Sequence, residues 1–583
     1  MQSRRKRRLV LIGVPSLALG LVLTGGWSLR LGLGAREQLE ATRDALLRLR
    51  DPGSAAAALA DARWHAAEAR RLTGGPVWWL LTHAPLVGDA AETTRGLAVA
   101  ADDLTGALSR VQQAGAPFLS AGSLSAGDLR RTLTALGALA PVLDGAATRL
   151  DAVRSDLART PARTGVPTLD RARATVLNEV DRLRGWAGAG ADAAALLPPM
   201  LGRDGPRRYF LAFETNAESR GTGGLVGAFG ILKADGGRVS VTRLSANTGM
   251  AASAKPVVDH GQGFASRYGR GATTTLSVSN LSPHFPYAAT TWTGLWRRQT
   301  GQELDGAIAT DPVGLSYILG AIGPVKLPGG ETVTAGNVVD LTERVAYARY
   351  PDPVERKKYL IRIAAAVSEA LTGSVREPAR LLPAFSRMVS EHRLRVWSRV
   401  EDEQRRLAAT PLGGVLPEQR GPYAGLVVNN SAGTKLDYYL DRSLTYELGP
   451  CRPDGQRTSR VRIRLTNDAP RGPLPTYVTD RLDDPEHPHA AGSNLLWVSV
   501  YGSVGAKASA VRLDGRPVGF YAEYERSHPV FSVMLEFAPR QSRTLELDLL
   551  EPFTAAPPVI PVQPLVRPQH TVIERDDRGC PGS

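Results

Sequence analysis

Asn216-Ala-Glu-Ser-Arg-Gly-Thr-Gly-Gly224 lies between two strand-like runs, Arg208-Tyr-Phe-Leu-Ala-Phe213 before it and Leu225-Val-Gly-Ala-Phe-Gly-Ile-Leu-Lys233 after it. Aromatic and branched residues in both runs suit a pleated, half-buried surface. A third run at 238–244 follows Asp235-Gly-Gly237, a sequence that favours a tight hairpin turn. Helical stretches are expected next, around 288–300, 311–319, 335–349 and 355–371, and residues 375–410 read as further helix with many charges. Arg395, inside that charged stretch, is expected at the surface. Strands mixed with amphipathic helices point to an α/β domain over residues 205–395. The junction at 216–224 gathers one carboxylate, Arg220 and the glycines Gly221, Gly223 and Gly224. Backbone N–H groups in a glycine-rich turn can converge on an anion, and an arginine beside them can hold a phosphate through two parallel bonds. The plainer reading is a turn that uses glycine for its tolerance of positive φ.

Towards the N-terminus, Arg4, Arg5, Lys6, Arg7 and Arg8 precede an apolar run from 9 to 29 that Arg30 ends. A span needs roughly 20 apolar residues, and positive charge stays on the cytoplasmic side. The reading is a basic cytoplasmic tail (1–8), one transmembrane helix (9–29) in the plasma membrane, and the bulk of the chain outside. A cleaved signal peptide is the rival, but its apolar part is shorter, about 7–15 residues, and no small-x-small site precedes Ala35. Residues 35–200 carry Leu39, Leu46 and Leu49, Leu104 and Leu108, then Leu136, Leu139, Leu143 and Leu150 at helical spacing. Breaks are expected at Gly74-Gly-Pro76, Gly115-Ala-Pro117 and Thr160-Pro161, giving a stalk or bundle of four to five helices. Within it, Trp78-Trp79-Leu-Leu suits either a membrane interface or a core loop.

Towards the C-terminus, a helical or loop linker (396–434) leads to an all-β stretch (435–583), where Val461, Ile463 and Leu465 alternate with arginines and Thr544-Leu-Glu-Leu-Asp-Leu549 alternates again. Together with the strand Leu495-Leu-Trp-Val-Ser-Val-Tyr501 this suggests a β-sandwich. Residues 557–568 are a proline-rich exit. The chain is thus multidomain: transmembrane helix, helical stalk, α/β domain and β-sandwich.

The two cysteines, Cys451 and Cys580, bracket this last segment. In an oxidising compartment they are expected to close a long loop. The nine histidines show no metalloenzyme spacing. The net charge of +14 includes the basic tail, and no basic–aromatic interleaving supports nucleic-acid binding. Acidic envelope polymers or anionic lipid headgroups suit the charge better.

The segment from about 208 to 365 resembles the bacterial domain-of-unknown-function family 4012. The residues that carry the resemblance are 216–224, Ser282-Pro-His-Phe-Pro286, Asp305-Gly-Ala-Ile-Ala-Thr-Asp-Pro312 and Gly323-Pro-Val325, with Asn429-Asn-Ser-Ala-Gly-Thr-Lys-Leu-Asp-Tyr-Tyr439 beyond them. A second resemblance is carried by Glu343-Arg-Val-Ala-Tyr-Ala-Arg349, by Tyr350-Pro-Asp-Pro-Val-Glu-Arg-Lys-Lys358 and by Arg362. These are similar to the end of the catalytic domain in the LytR–CpsA–Psr family, membrane-anchored enzymes that move glycopolymers from a polyprenyl-pyrophosphate carrier onto the cell wall. This resemblance implies Arg220, Arg349, Arg356 and Arg362 as phosphate contacts. It implies Asp305, Asp311 and Asp352 as metal or orienting carboxylates, with magnesium the candidate ion although no cofactor is assigned. The family's arginine–aspartate pair is missing, since Arg243-Leu-Ser-Ala-Asn247 stands in that region. The expected function is an envelope protein that binds lipid-linked or phosphate-bearing cell-wall glycopolymer, with transfer, and hence enzyme status, left open. The alternative is a non-enzymatic scaffold that binds wall polymer or a protein partner. A phosphate-gripping Arg220 implies that Arg220→Ala weakens ligand binding and leaves the thermal melt nearly unchanged.

Overall fold

The computed structural model describes residues 30–48, 54–120, 129–372, 380–483 and 489–581. The run at 9–29 and the basic tail lie outside the described residues, and no described helix is long and apolar enough to cross a membrane. The chain divides into two compact units, one within residues 1–205 and 235–237, the other within 206–234 and 238–583.

The first unit is a helical bundle: α1 (Arg30–Arg48), α2 (Ala55–Thr73), α3 (Pro76–Thr82), α4 (Gly88–Ser120), α5 (Leu129–Arg159) and α6 (Pro167–Met200). Apolar residues recur every three or four positions, as in Ala58, Ala62, Ala66 and Ala69 of α2 or Leu169, Ala172, Val176, Val180 and Leu183 of α6, and these stripes meet in one core. Alanine, with little side-chain entropy to lose, favours both the helix and close helix contact. The chain breaks at Gly74-Gly-Pro76 and around Pro161, but Gly115-Ala-Pro117 falls inside α4. A proline there removes one backbone donor, a loss that a helix of 33 residues carries.

The second unit opens with a meander of β1 (Arg207–Arg220), β2 (Gly223–Asp235) and β3 (Arg238–Ala246). Gly236 and Gly237 supply the positive φ, 55° and 88°, that the hairpin needs. Then come α7 (Gln262–Tyr268), α8 (Phe285–Thr300) and β4 (Gly306–Thr310), which pairs parallel with β1. Phe210 and Phe229 from the sheet pack against Trp292 and Trp296 of α8. Next are α9 (Pro312–Ile322), the short pair β5 (Val325–Lys326) and β6 (Thr332–Val333), α10 (Val338–Asp340), a π-helical turn (Leu341–Val345) and α11 (Ala346–Arg349). They are followed by α12 (Pro353–Thr372), α13 (Leu381–Ser390), β7 (Leu394–Ser398) and α14 (Glu401–Ala408). Residues 375–410 are therefore not all helix. β7 joins the sheet antiparallel to β4, giving the order β3-β2-β1-β4-β7.

The remaining strands are β8 (Ala424–Asn430), β9 (Leu440–Cys451), β10 (Gln456–Asn467), β11 (Asn494–Gly502), β12 (Lys507–Leu513), β13 (Arg516–Pro517), β14 (Tyr521–Glu525), β15 (His528–Phe537), β16 (Ser542–Pro552) and β17 (Gln569–Arg575), with α15 (Thr476–Thr479) between β10 and β11. They form a six-stranded sheet, β13-β12-β16-β10-β9-β17, and a four-stranded one, β14-β15-β11-β8. Residues from both sheets build a single core, with Val461, Ile463 and Leu465 of β10 inside it together with Val498 of β11 and Val533 of β15. The intervening arginines face out, where Arg460 meets Asp548 and Arg462 meets Glu546. Cys451 and Cys580 are joined as a disulfide, Cα atoms 4.9 Å apart across 129 positions of sequence. The proline-rich segment does not simply leave: Val559 and Val562 bridge in parallel to Tyr423 and Leu426.

Candidate functional site

The glycine-rich junction is where the α/β region and the C-terminal sheets of the second unit meet. β1 and β2 lose register between Thr215 and Ser219, so Asn216, Ala217 and Glu218 bulge out of the pairing. The backbone donors of Asn216, Ala217 and the following Ser219 find carboxylates elsewhere in the chain. The π turn after α10 presents Glu343, whose Oε2 accepts from Ala217 N at 2.8 Å and Thr215 Oγ1 at 2.7 Å, and whose Oε1 accepts from Asn216 N at 3.2 Å. Asp437, in the turn before β9, accepts from Ser219 N (2.7 Å) and Ser219 Oγ (2.6 Å). Gly221 and Gly224 serve close packing: a Cβ would stand 2.2 Å from Leu281 O in the first case and 2.1 Å from Thr215 O in the second. Gly223, at φ 140°, pairs with Arg220 across the two-residue turn Gly221-Thr222.

Arg220 is 5% exposed. Its Nε donates to Ser277 O (3.2 Å), its Nη1 to Ser219 O (2.9 Å) and Asn430 O (3.2 Å), and its Nη2 to Glu218 Oε1 (2.7 Å). Every nitrogen of the guanidinium is thus engaged inside the protein. Glu218 also accepts from Lys435, and Lys435 Nζ lies 5.1 Å from the centre of the Tyr477 ring. Arg356 covers the same ring at 3.7 Å. It is 2% exposed and donates to the carbonyls of Tyr350 (2.9 Å) and Pro351 (3.2 Å), while its Nη2 has no partner. Arg220 and Arg356 therefore belong to one cluster, linked through buried Glu218 and Lys435 and through Tyr477, which reaches the surface. Burial alone would raise the Glu218 carboxyl, but Arg220 and Lys435 hold it below the usual range.

The other expected residues stand apart from this cluster. Arg349 is exposed, pairs with Glu331 at 2.7 Å and lies 5.5 Å from the Tyr359 ring. Arg362 approaches the same ring at 5.8 Å. Asp305 accepts from Arg208 N (2.8 Å) and neighbours Arg207 and Arg399. Asp311 caps α9 by accepting from Gly314 N (2.7 Å) and pairs with buried Arg393 at 2.7 Å. Asp352 accepts from Val354 N at the start of α12. Among the described residues no group of three or more His, Cys, Asp or Glu side chains could hold a metal ion.

Glu214 and Tyr477 carry no signal in the sequence, Glu218 appears there only as the carboxylate of the junction, and Glu343, Lys435 and Asp437 appear only within quoted motifs, with no role attached. Arg395 is not at the surface. It is buried, donates to Thr222 O and lies 3.9 Å from Glu214. Burial pushes the Glu214 carboxyl up to about 7, with Arg395, Thr222 and Asn280 opposing. Arg395 is beyond hydrogen-bond reach, so burial prevails. Burial likewise lifts Glu343 to about 7 against its three donors. Groups that titrate near neutrality can exchange protons at physiological pH. Both are enclosed, so the direct consequence is for stability.

Glu214 holds its proton more tightly folded than unfolded, where its ordinary value is 4.5. Stability from this group is fully present below pH 4.5 and is lost as pH rises through 7. The shift corresponds to about 3 kcal/mol. Glu214→Gln should flatten this part of the profile, so that urea midpoints of wild type and variant diverge between acid and alkaline pH. Parallel profiles would refute the assignment.

None of the curated proteins and none of the solved structures matches this chain. Residues 204–347, which hold the bulge, Arg220 and the π turn with Glu343, match the model of a family described as "Protein of unknown function (DUF4012)".

Proposed function

We propose that the protein is an envelope scaffold: a single-pass plasma-membrane protein with its N-terminus in the cytoplasm, whose extracytoplasmic parts bind wall polymer or a protein partner without catalysing a reaction. The observation that carries this reading is the engagement of Arg220. All its guanidinium nitrogens bond within the protein, and four of its five N–H donors are thereby taken away from a pyrophosphate in this conformation. The cluster instead fastens the α/β region to the C-terminal sheets, which in this reading form a β-sandwich. The disulfide suits an oxidising compartment outside the cytoplasm. The basic tail and apolar run at 1–29 support the anchor.

A second reading is favoured by Arg349 and Arg362, which share the Tyr359 ring, with exposed Lys358 on the same helix as Arg362. In this reading the α/β domain is a relative of the LytR–CpsA–Psr fold. It binds, and goes on to transfer, lipid-linked or phosphate-bearing glycopolymer through that surface, with magnesium assisting. The two readings separate in one assay. Detergent-solubilised full-length protein is titrated with a polyprenyl pyrophosphate, with and without magnesium. The scaffold reading expects no saturable binding. Saturable binding that falls about tenfold or more in Arg349→Ala/Arg362→Ala would overturn it in favour of the second.

A further inference from the structure

We propose that α3 and the loop after it form a foot that rests in the headgroup layer of the membrane, a role that builds on the single-pass anchor. The short helix reads Pro76-Val-Trp-Trp-Leu-Leu-Thr82. Trp78 turns fully inward, and Leu81 packs half-buried beside it. Trp78 is 1% exposed, its indole N–H donates to Ala91 O at 3.0 Å, and it packs with Ala35 of α1 and Ala91 of α4. That contact fixes the roll of the helix and turns its neighbours outward: Trp79 is 55% exposed and Leu80 62%. Val77 is exposed as well, and Val87 continues the patch across the loop. Leu86 is fully exposed and adopts φ 69°, a left-handed conformation uncommon for residues other than glycine. Exposing a leucine and straining its backbone both cost stability. An apolar patch of this kind marks an interaction surface.

Its position identifies what covers it. Gly34 of α1 lies against Leu72 at the end of α2, so α3 sits beside the first turns of α1. The apolar run 9–29 ends immediately before α1 begins at Arg30. Continued as helix at 1.5 Å per residue, Gly34 stands only about 8 Å beyond that run. The headgroup layer on each side of the hydrocarbon is about 5–8 Å thick. Trp79 and the aliphatic patch are therefore held at the depth where tryptophan accumulates in membrane proteins. The occupant is the lipid interface itself.

Both native cysteines are bridged, so an introduced cysteine is the sole free thiol. Leu80→Cys, Leu86→Cys and, as a control on α6, Trp186→Cys all replace exposed residues. Each full-length variant is labelled with a nitroxide and reconstituted into phosphatidylcholine–phosphatidylglycerol vesicles. Collision rates are then measured with oxygen and with a water-soluble nickel chelate. The foot predicts an oxygen-to-nickel ratio several-fold higher at 80 and 86 than at 186. Equal ratios at all three sites, in protein that incorporates into the vesicles, would overturn the foot and leave the anchor standing. Protein that fails to incorporate would remove the anchor and the foot together. Spin–spin broadening at 80 or 86 combined with an aqueous ratio would assign the patch to a second copy of the chain instead.

Discussion

Replacing Arg220 with alanine should lower the unfolding free energy by about 3–5 kcal/mol, the usual consequence of removing one partner from a buried ion pair. The loss leaves Glu218 with Lys435 alone, and it strips donors from the carbonyls of Ser277, Ser219 and Asn430, all served by this one guanidinium. Asn430 ends β8, 210 positions away in sequence, so part of the cost falls on the joint between the α/β region and the C-terminal sheets. Arg220→Lys keeps the charge but not the planar fork, and should recover only part of the stability. Urea denaturation of the three proteins decides the matter. A change below about 1 kcal/mol, an ordinary surface effect, would show that the cluster is not structural and would restore the sequence expectation of an unchanged melt.

Removing the disulfide should cost a similar amount. The bridge closes a loop spanning 129 positions, and the chain-entropy model assigns about 5 kcal/mol to a loop of that length. The bridge also pins the segment that carries β17 to the end of β9, its parallel neighbour at the edge of the six-stranded sheet. Cys451→Ser/Cys580→Ser is therefore expected to show a large drop in urea midpoint, with early proteolysis after Pro552. Reduction of the wild type under mild denaturant should reproduce it. If the double variant melts with the wild type, the bridge does not constrain the unfolded chain in the way its loop length implies.

Much of the architecture is legible because it rests on local patterns. The Asp235-Gly-Gly237 turn, the alternation around Val461 and the leucine spacing of residues 35–200 each specify an element within a few residues. What escapes is whatever depends on distant partners. β7 lies in a stretch whose arginines suggest a solvated helix, yet Arg393 is buried against Asp311, 82 positions away. Arg395 is buried near Glu214 in the same manner. The partners of Arg220 escape for the same reason. An arginine beside glycines resembles an open anion site, and Asn430, Lys435 and Asp437 lie more than 200 positions off. One local clue was present. Residues two apart on a strand share a face, so Glu218 was already placed to neutralise Arg220. Arg460 and Arg462 of β10 obey the same spacing, but their face is the outer one, where they meet Asp548 and Glu546 of the adjacent strand.

The proline-rich segment bears on how the protein is made. Gln563 donates to the carbonyls of Arg220 and Val428, Pro564 accepts from the Asn216 side chain, and Leu565 accepts from Arg393. The segment that matches the family model ends at 347, yet its bulge is completed by residues emerging from the ribosome more than 200 positions later. At synthesis rates of about 5–20 residues per second, β1 waits on the order of ten seconds or more for partners that do not yet exist. Until the proline-rich segment is made, the bulge on β1 lacks the partners that Gln563 and Pro564 supply. The joint can close only once the chain has been made as far as Leu565.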